Sequence, residues 1–153
     1  MLKLNKMTDY AVVCLGILSR KPEYPMSATE LSKETGLTLY TVQKILKIIV
    51  SKSDIISAHR GALGGYVLNR NSSEISVVEI IEALEGPITL TSCVDNSENL
   101  CESSDICFLG GKWNKVNNII RKTLNDISLN DLLKFDNPFA SKGEKEVVVN
   151  TIN

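Results

Sequence analysis

The chain has 153 residues, 43% of them hydrophobic and 5% aromatic; this suffices for one core with at most a short appendage and argues against an aromatic-rich sandwich. No apolar run reaches membrane-spanning length and the opening MLKLNKMTDY has no apolar stretch or cleavage site of the secretory kind, so the expectation is a cytoplasmic protein with no membrane partner. The net charge of −1 hides an asymmetry, because residues 1–70 carry ten Lys/Arg against five Asp/Glu while residues 71–153 carry seven against thirteen; a basic first half is the footprint of a polyanion-binding surface.

In sequence order, the first expected element is a broadly buried helix from Leu4 to about Arg20, with Ala11, Val12, Cys14, Leu15, Ile17 and Leu18 apolar and Lys21-Pro22 stopping it. Ser27-Ala28-Thr29-Glu30 then has the S-x-x-E form of a capping box and opens a short helix that ends at Gly36. Thr38 caps a third helix to about Ser53, whose apolar stripe is Val42, Ile45, Leu46 and Ile49 and whose opposite face is Tyr40, Thr41, Gln43, Lys44 and Lys47. Two short helices joined at a glycine, the second with a polar and basic face, form a helix-turn-helix pattern. Many helical hairpins share it, so the next segment matters. Ile55–His59 and Tyr66–Leu68 read as two short strands around the turn Arg60-Gly61-Ala62-Leu63-Gly64-Gly65. A helix-turn-helix followed by such a hairpin is a winged helix.

Ser76-Val77-Val78-Glu79 is a second capping box, opening a helix that Gly86-Pro87 closes. Residues 88–108 form a polar stretch holding three of the four cysteines, Cys93, Cys101 and Cys107. From about Gly111 to Ile127 a long helix carries Trp113, Val116, Ile119, Ile120, Thr123, Leu124 and Ile127 at helical spacing. This is more apolar surface than a peripheral helix of a small domain must bury, which marks it as a dimer interface. Ser128 to Leu133 reads as a capped final turn, and the tail beyond Phe135 is polar with Pro and Gly.

The expected fold class is therefore mainly α with a small β-hairpin wing: a winged helix-turn-helix with a long C-terminal dimerisation helix. Its division is 1–87 for the DNA-binding domain, 88–108 for the cysteine loop, 109–134 for the dimerisation helix and 135–153 for a flexible tail. In such a fold the second helix of the pair enters the major groove. Gln43 can bond adenine through two hydrogen bonds, Lys44 can approach guanine or a phosphate, and Tyr40 and Thr41 stand beside them. The Thr38 and Thr41 hydroxyls and the helix N-terminus suit phosphates, and Arg60 at the wing suits a narrow minor groove. The partners expected are a double-stranded DNA operator and a second copy of the protein, with no small-molecule substrate. No nucleophile–base pair and no phosphate-cradling glycine loop is present, so an enzyme is not expected.

The spacing C-x7-C-x5-C is not the close C-x2-C pair that zinc favours. Three thiolates in a loop suit an iron–sulfur cluster, which takes four ligands, but spacing alone equally allows a zinc site, a thiol switch or free cysteines.

The segments Leu4-Asn5-Lys6-Met7-Thr8-Asp9-Tyr10-Ala11, His59-Arg60-Gly61-Ala62-Leu63-Gly64-Gly65-Tyr66 and Glu79-Ile80-Ile81-Glu82-Ala83-Leu84-Glu85-Gly86-Pro87, the three cysteines and the helix from Gly111-Lys112-Trp113 resemble the IscR/NsrR-type winged-helix regulators that carry iron–sulfur clusters, most closely the branch regulating SUF cluster-assembly genes. The resemblance covers about residues 1–134. It implies a homodimeric repressor with crossing C-terminal helices, sensing cluster, iron or redox status through ligands Cys93, Cys101 and Cys107. The fourth ligand differs within the family. Where some members place a His, this protein has Gly110, which cannot ligate; where others use an Asp from the partner subunit's first helix, it has Asp9. Cys14 is a further candidate, and the sole histidine, His59, falls in the wing. A carboxylate ligand leans toward [4Fe–4S], usage in this branch toward [2Fe–2S]. The alternative is a cluster-free, zinc- or thiol-based winged-helix regulator or an interaction module.

Overall fold

A computed structural model of the protein describes residues 4–61, 63–91, 94 and 112–134. The expectations for Cys93, Cys101, Cys107, Gly110 and the tail fall outside these residues. The elements run α1 (Lys6–Ser19), α2 (Ala28–Thr35), α3 (Leu39–Lys52), β1 (Ile56–His59), β2 (Gly65–Leu68), α4 (Val77–Glu85), α5 (Trp113–Asn125) and α6 (Leu129–Leu133).

Local chemistry sets most of the boundaries. Asn5 caps α1, its side chain accepting from the Met7 N–H at 3.1 Å, so the helix begins later than its apolar pattern suggests. Ser27 with Glu30, Ser76 with Glu79 and Ser128 with Asp131 each form a complete capping box, and each such cap is worth about 1 kcal/mol. Gly36 ends α2 at φ 73°, a left-handed conformation that glycine adopts without strain, and this sets the short turn into α3.

β1 and β2 form an antiparallel hairpin in the register Ile56↔Leu68 to His59↔Gly65. Met26 adds to its edge, exchanging backbone hydrogen bonds with Tyr66 at 3.0 and 2.9 Å. The core gathers Ala11, Cys14, Leu15 and Leu18 of α1, Leu31 of α2, the whole Val42, Ile45, Leu46, Ile49 stripe of α3, Ile55, Ile56 and Leu68 of the hairpin, and Ile75, Ile80 and Leu129. Leu129 is fully buried; the Leu129 N–H donates to the Ile75 carbonyl and the Val77 N–H to the Ile127 carbonyl, at 2.8 and 2.9 Å. The segment that follows α5 is thereby stitched to the start of α4.

The apolar stripe expected along α5 divides in two. Ile120, Leu124 and Ile127 are half-buried, and α5 lies against α4. Arg121 fastens that packing with a two-pronged ion pair to Glu82 at 2.8 and 2.9 Å, which holds the Glu82 carboxyl below its usual range. Trp113, Val116 and Ile119 remain exposed, Ile119 by 57%.

Candidate nucleic-acid interface and its link to the cysteine segment

The turn between α2 and α3 is laced by side chains. The Thr35 hydroxyl donates to the Leu31 carbonyl at 2.6 Å and accepts from the Leu37 N–H at 3.2 Å, while Ser32 donates to the Leu37 carbonyl at 2.6 Å. Thr38 then caps α3, accepting from the Thr41 N–H at 3.2 Å, with its oxygen 2.8 Å from the Thr41 hydroxyl. The Thr38 oxygen is thus engaged as the cap of α3 and paired with the Thr41 hydroxyl. Tyr40 is 75% exposed and Gln43, Lys44 and Lys47 are exposed, so α3 buries its apolar stripe and turns its basic face outward.

Arg60 is exposed directly after β1. Gly61 takes φ 118° and its carbonyl accepts from the Gly64 N–H at 3.0 Å, closing the wing turn in a conformation that a Cβ would strain. His59 lies 3.2 Å from the Ser57 hydroxyl through Nε2 and is part of the wing.

Behind the wing, the Arg70 guanidinium donates to Asp54 at 2.9 Å and to Glu79 at 2.8 Å. Partial burial raises the Glu79 carboxyl, but Arg70 and the Ser76 donors outweigh it and hold it below its usual range. Arg70 therefore ties the exit of the wing to the capped start of α4. It is invisible to periodicity because its partners are distant or lie in another element.

Asp9 lies on the exposed side of α1 at the rim of an apolar groove of about 610 Å³ between α1, α4, α5 and α6, walled by Val12, Ile80, Leu124 and Ile127 among others. The turn that carries Asp9 is clamped to the end of α4: one Glu85 carboxylate oxygen accepts from the Asn5 N–H at 2.8 Å and from the Thr8 hydroxyl. Cys14 is different. It is fully buried in the core, and burial pushes its thiol up to about 11, which disfavours the thiolate that ligation needs.

Asn117, within the expected apolar stripe of α5, is only 4% exposed. Its amide accepts from the Leu90 N–H at 3.0 Å and donates to the Ile88 carbonyl at 2.9 Å, so the backbone entering the cysteine segment is fastened to α5. A polar residue four positions after Trp113 and three before Ile120 is the signal in the sequence that points to such an anchor, and the apolar pattern around it masks it. Among the described residues, no three His, Cys, Asp or Glu side chains converge as a metal site, and no helix is long and apolar enough to cross a membrane.

A helix-turn-helix whose second helix shows a Gln- and Lys-bearing polar face, followed by a hairpin with an exposed arginine, is the winged-helix architecture of DNA-binding transcription regulators. Solved structures share this architecture. CymR, the global cysteine regulator of B. subtilis, superposes with a TM-score of 0.65 at 24% identity, covering 87% of this protein and 97% of that one. The IscR of T. potens superposes with a TM-score of 0.60 at 28% identity, covering 87% of each protein. By sequence, the transcriptional regulator IscR of Xenorhabdus nematophila is 28% identical over 134 residues, 87% of this protein and 80% of that one. Residues 4–134 match Rrf2, described as an iron-dependent transcriptional regulator, and the chain belongs to that family.

Proposed function

We propose that the protein is a homodimeric repressor that reads a duplex operator through α3 and the wing, and that an iron–sulfur cluster on Cys93, Cys101 and Cys107 sets its affinity for that operator. The observation that carries the reading is the outward face of α3, with Tyr40, Gln43, Lys44 and Lys47 exposed around an N-terminus capped by Thr38. Gln43 reads base edges, Lys44, Tyr40, Thr41 and Thr38 lie along the phosphates, and Arg60 enters the minor groove. Half-sites about 34 Å apart fit two recognition helices related by a dyad. The exposed Trp113, Val116 and Ile119 of α5 supply the apolar contact with the second copy.

Three thiolates and a carboxylate form a donor set suited to a cluster. Asp9 of the partner subunit is the proposed fourth ligand, since it is exposed while Cys14 is buried with a raised thiol. Such a cluster, when bound, makes the protein responsive to iron supply and oxidants. The protein's own residues do the coupling: Glu85 holds the Asp9 turn against α4, Asn117 holds the entry to the cysteine segment against α5, and Arg70 joins α4 to the wing. The holo and apo forms must differ in operator affinity by a real coupling free energy. The proposed targets are SUF-type cluster-assembly genes, a reading supported only by the resemblance of the opening helix, the wing and the cysteine spacing to regulators of that branch.

The test is anaerobic isolation, absorption and Mössbauer spectra, and duplex binding with and without cluster, for the wild type and for Asp9→Ala. Cluster bands in the wild type that are altered in Asp9→Ala, with affinity following occupancy, are expected. A colourless protein after anaerobic reconstitution with all three cysteines intact sinks the sensor; a colourless protein that still binds DNA points to the zinc or thiol alternative.

A further inference from the structure

We infer that Leu63 is a minor-groove contact: with Arg60 it forms a paired apolar and cationic tip that makes operator affinity depend on the shape of the minor groove under the wing. The inference rests on the DNA-binding reading above. Leu63 is 91% exposed, more than any other large hydrophobic residue among those described. A single exposed leucine needs no explanation on an ordinary surface, but this position is not ordinary. It lies in the turn closed by the Gly64 N–H on the Gly61 carbonyl at 3.0 Å, where Asn, Asp, Ser or Gly would satisfy the backbone without exposing apolar surface.

The backbone beside it is packed tightly. A Cβ on Gly64 would strike the His59 carbonyl oxygen, and one on Gly65 would come within 2.6 Å of the Met26 backbone, so the end of the hairpin is seated tightly against the Met26 segment. Arg60 stands exposed across the same turn. Cations favour the negative potential of a narrow minor groove, and leucine is among the side chains that enter it to press on sugars or between base steps. A minor groove accommodates both the cation and the apolar side chain.

The test uses the full-length protein as isolated, a duplex that the wild type selects from a randomised pool, and a second version of that duplex carrying 2,6-diaminopurine for adenine beneath the wing. The modified base adds an amino group to the minor groove and leaves the major-groove acceptor of adenine in place. Leu63→Ala is expected to weaken binding to the selected duplex about tenfold, the effect of roughly half-burying the three carbons it removes, and Leu63→Asn at least as much. Leu63→Met should stay within about threefold, as volume-conserving apolar swaps do. The slope of log affinity against log salt should not change, because no phosphate contact is lost. Diaminopurine should weaken the wild type, and the loss should be smaller in Leu63→Ala, which retains only the Arg60 contact. Unchanged affinity in Leu63→Ala, or a loss accompanied by a flattened salt slope, overturns the inference while leaving DNA binding intact. A wild type that selects no duplex and shows no salt-dependent binding overturns the DNA-binding reading itself, and this inference with it.

Discussion

Glu85, the last residue of α4, accepts a hydrogen bond from the backbone of Asn5, the residue that caps α1. The same oxygen accepts from Thr8, which is only 2% exposed. Removing the carboxylate leaves a buried hydroxyl without its acceptor, so Glu85→Ala is expected to cost about 1–3 kcal/mol, and Glu85→Gln, which keeps an acceptor, clearly less. Urea unfolding of the wild type and the two variants measures this; wild-type stability in Glu85→Ala would show that the clamp contributes nothing.

Asp131 accepts from Ser128 through both its hydroxyl and its backbone N–H, and Lys134 stands 3.2 Å away. The Ser128 hydroxyl, then its backbone N–H, then Lys134 lower the Asp131 carboxyl to about 2. A carboxyl depressed in the folded state stabilises fully above its unfolded value of about 4 and loses that contribution as pH falls through its folded value. The cap of α6 should therefore persist through mild acid. Carboxyl-carbon NMR titration should place Asp131 near the depressed value and show it moving back up in Ser128→Ala; an ordinary titration in the wild type would refute the cap as the cause.

The exposed face of α3 separates two kinds of DNA contact. Lys44→Ala should weaken binding to all duplexes alike and lower the salt slope by about 1, the signature of a lost phosphate contact. Gln43→Ala should cost about 1–3 kcal/mol on the selected duplex and relax preference at a single base position while leaving the slope unchanged. Titrations on selected and scrambled duplexes at several salt concentrations resolve the two effects, and uniform behaviour of both variants would remove Gln43 from base readout.

For the proposed dimer, Ile119 is the sharpest probe, being exposed on α5 away from the half-buried Ile120 and Leu124. Ile119→Glu should yield a folded monomer by sedimentation with helical content retained, since this residue adds little to the core of one protomer. A variant that remains dimeric would place the interface elsewhere.

Much of the fold is legible in the sequence because its signals are local. A serine three residues before a glutamate, a glycine after a short helix and an alternating segment around a Gly-rich turn each act over a few residues, and α2, α3, the hairpin and α4 follow from them. The outward face of α3 is legible for the same reason: Val42, Ile45, Leu46 and Ile49 leave only one side for Gln43 and Lys44. The start of α1 lies later than the apolar pattern places it, because the Asn5 cap and not the pattern sets the boundary. Met26 joining Tyr66, Arg70 reaching Asp54 and Glu79, and Glu85 meeting Asn5 depend on segments brought together only by the core, and periodicity carries no trace of them. The apolar pattern of α5 conceals two faces, because spacing alone does not distinguish contact with α4 from an open surface.

Asn117 has a thermodynamic consequence. Its amide grips the backbone at Ile88 and Leu90, so the polypeptide leaves for the cysteines from the same helix onto which it returns at Trp113. Bringing the ends of a strand together carries an entropic penalty that grows with the logarithm of its length. Here the ends of the stretch between Leu90 and Trp113 are already brought together when α5 packs, so that penalty is met by folding itself and not by any later event within the stretch.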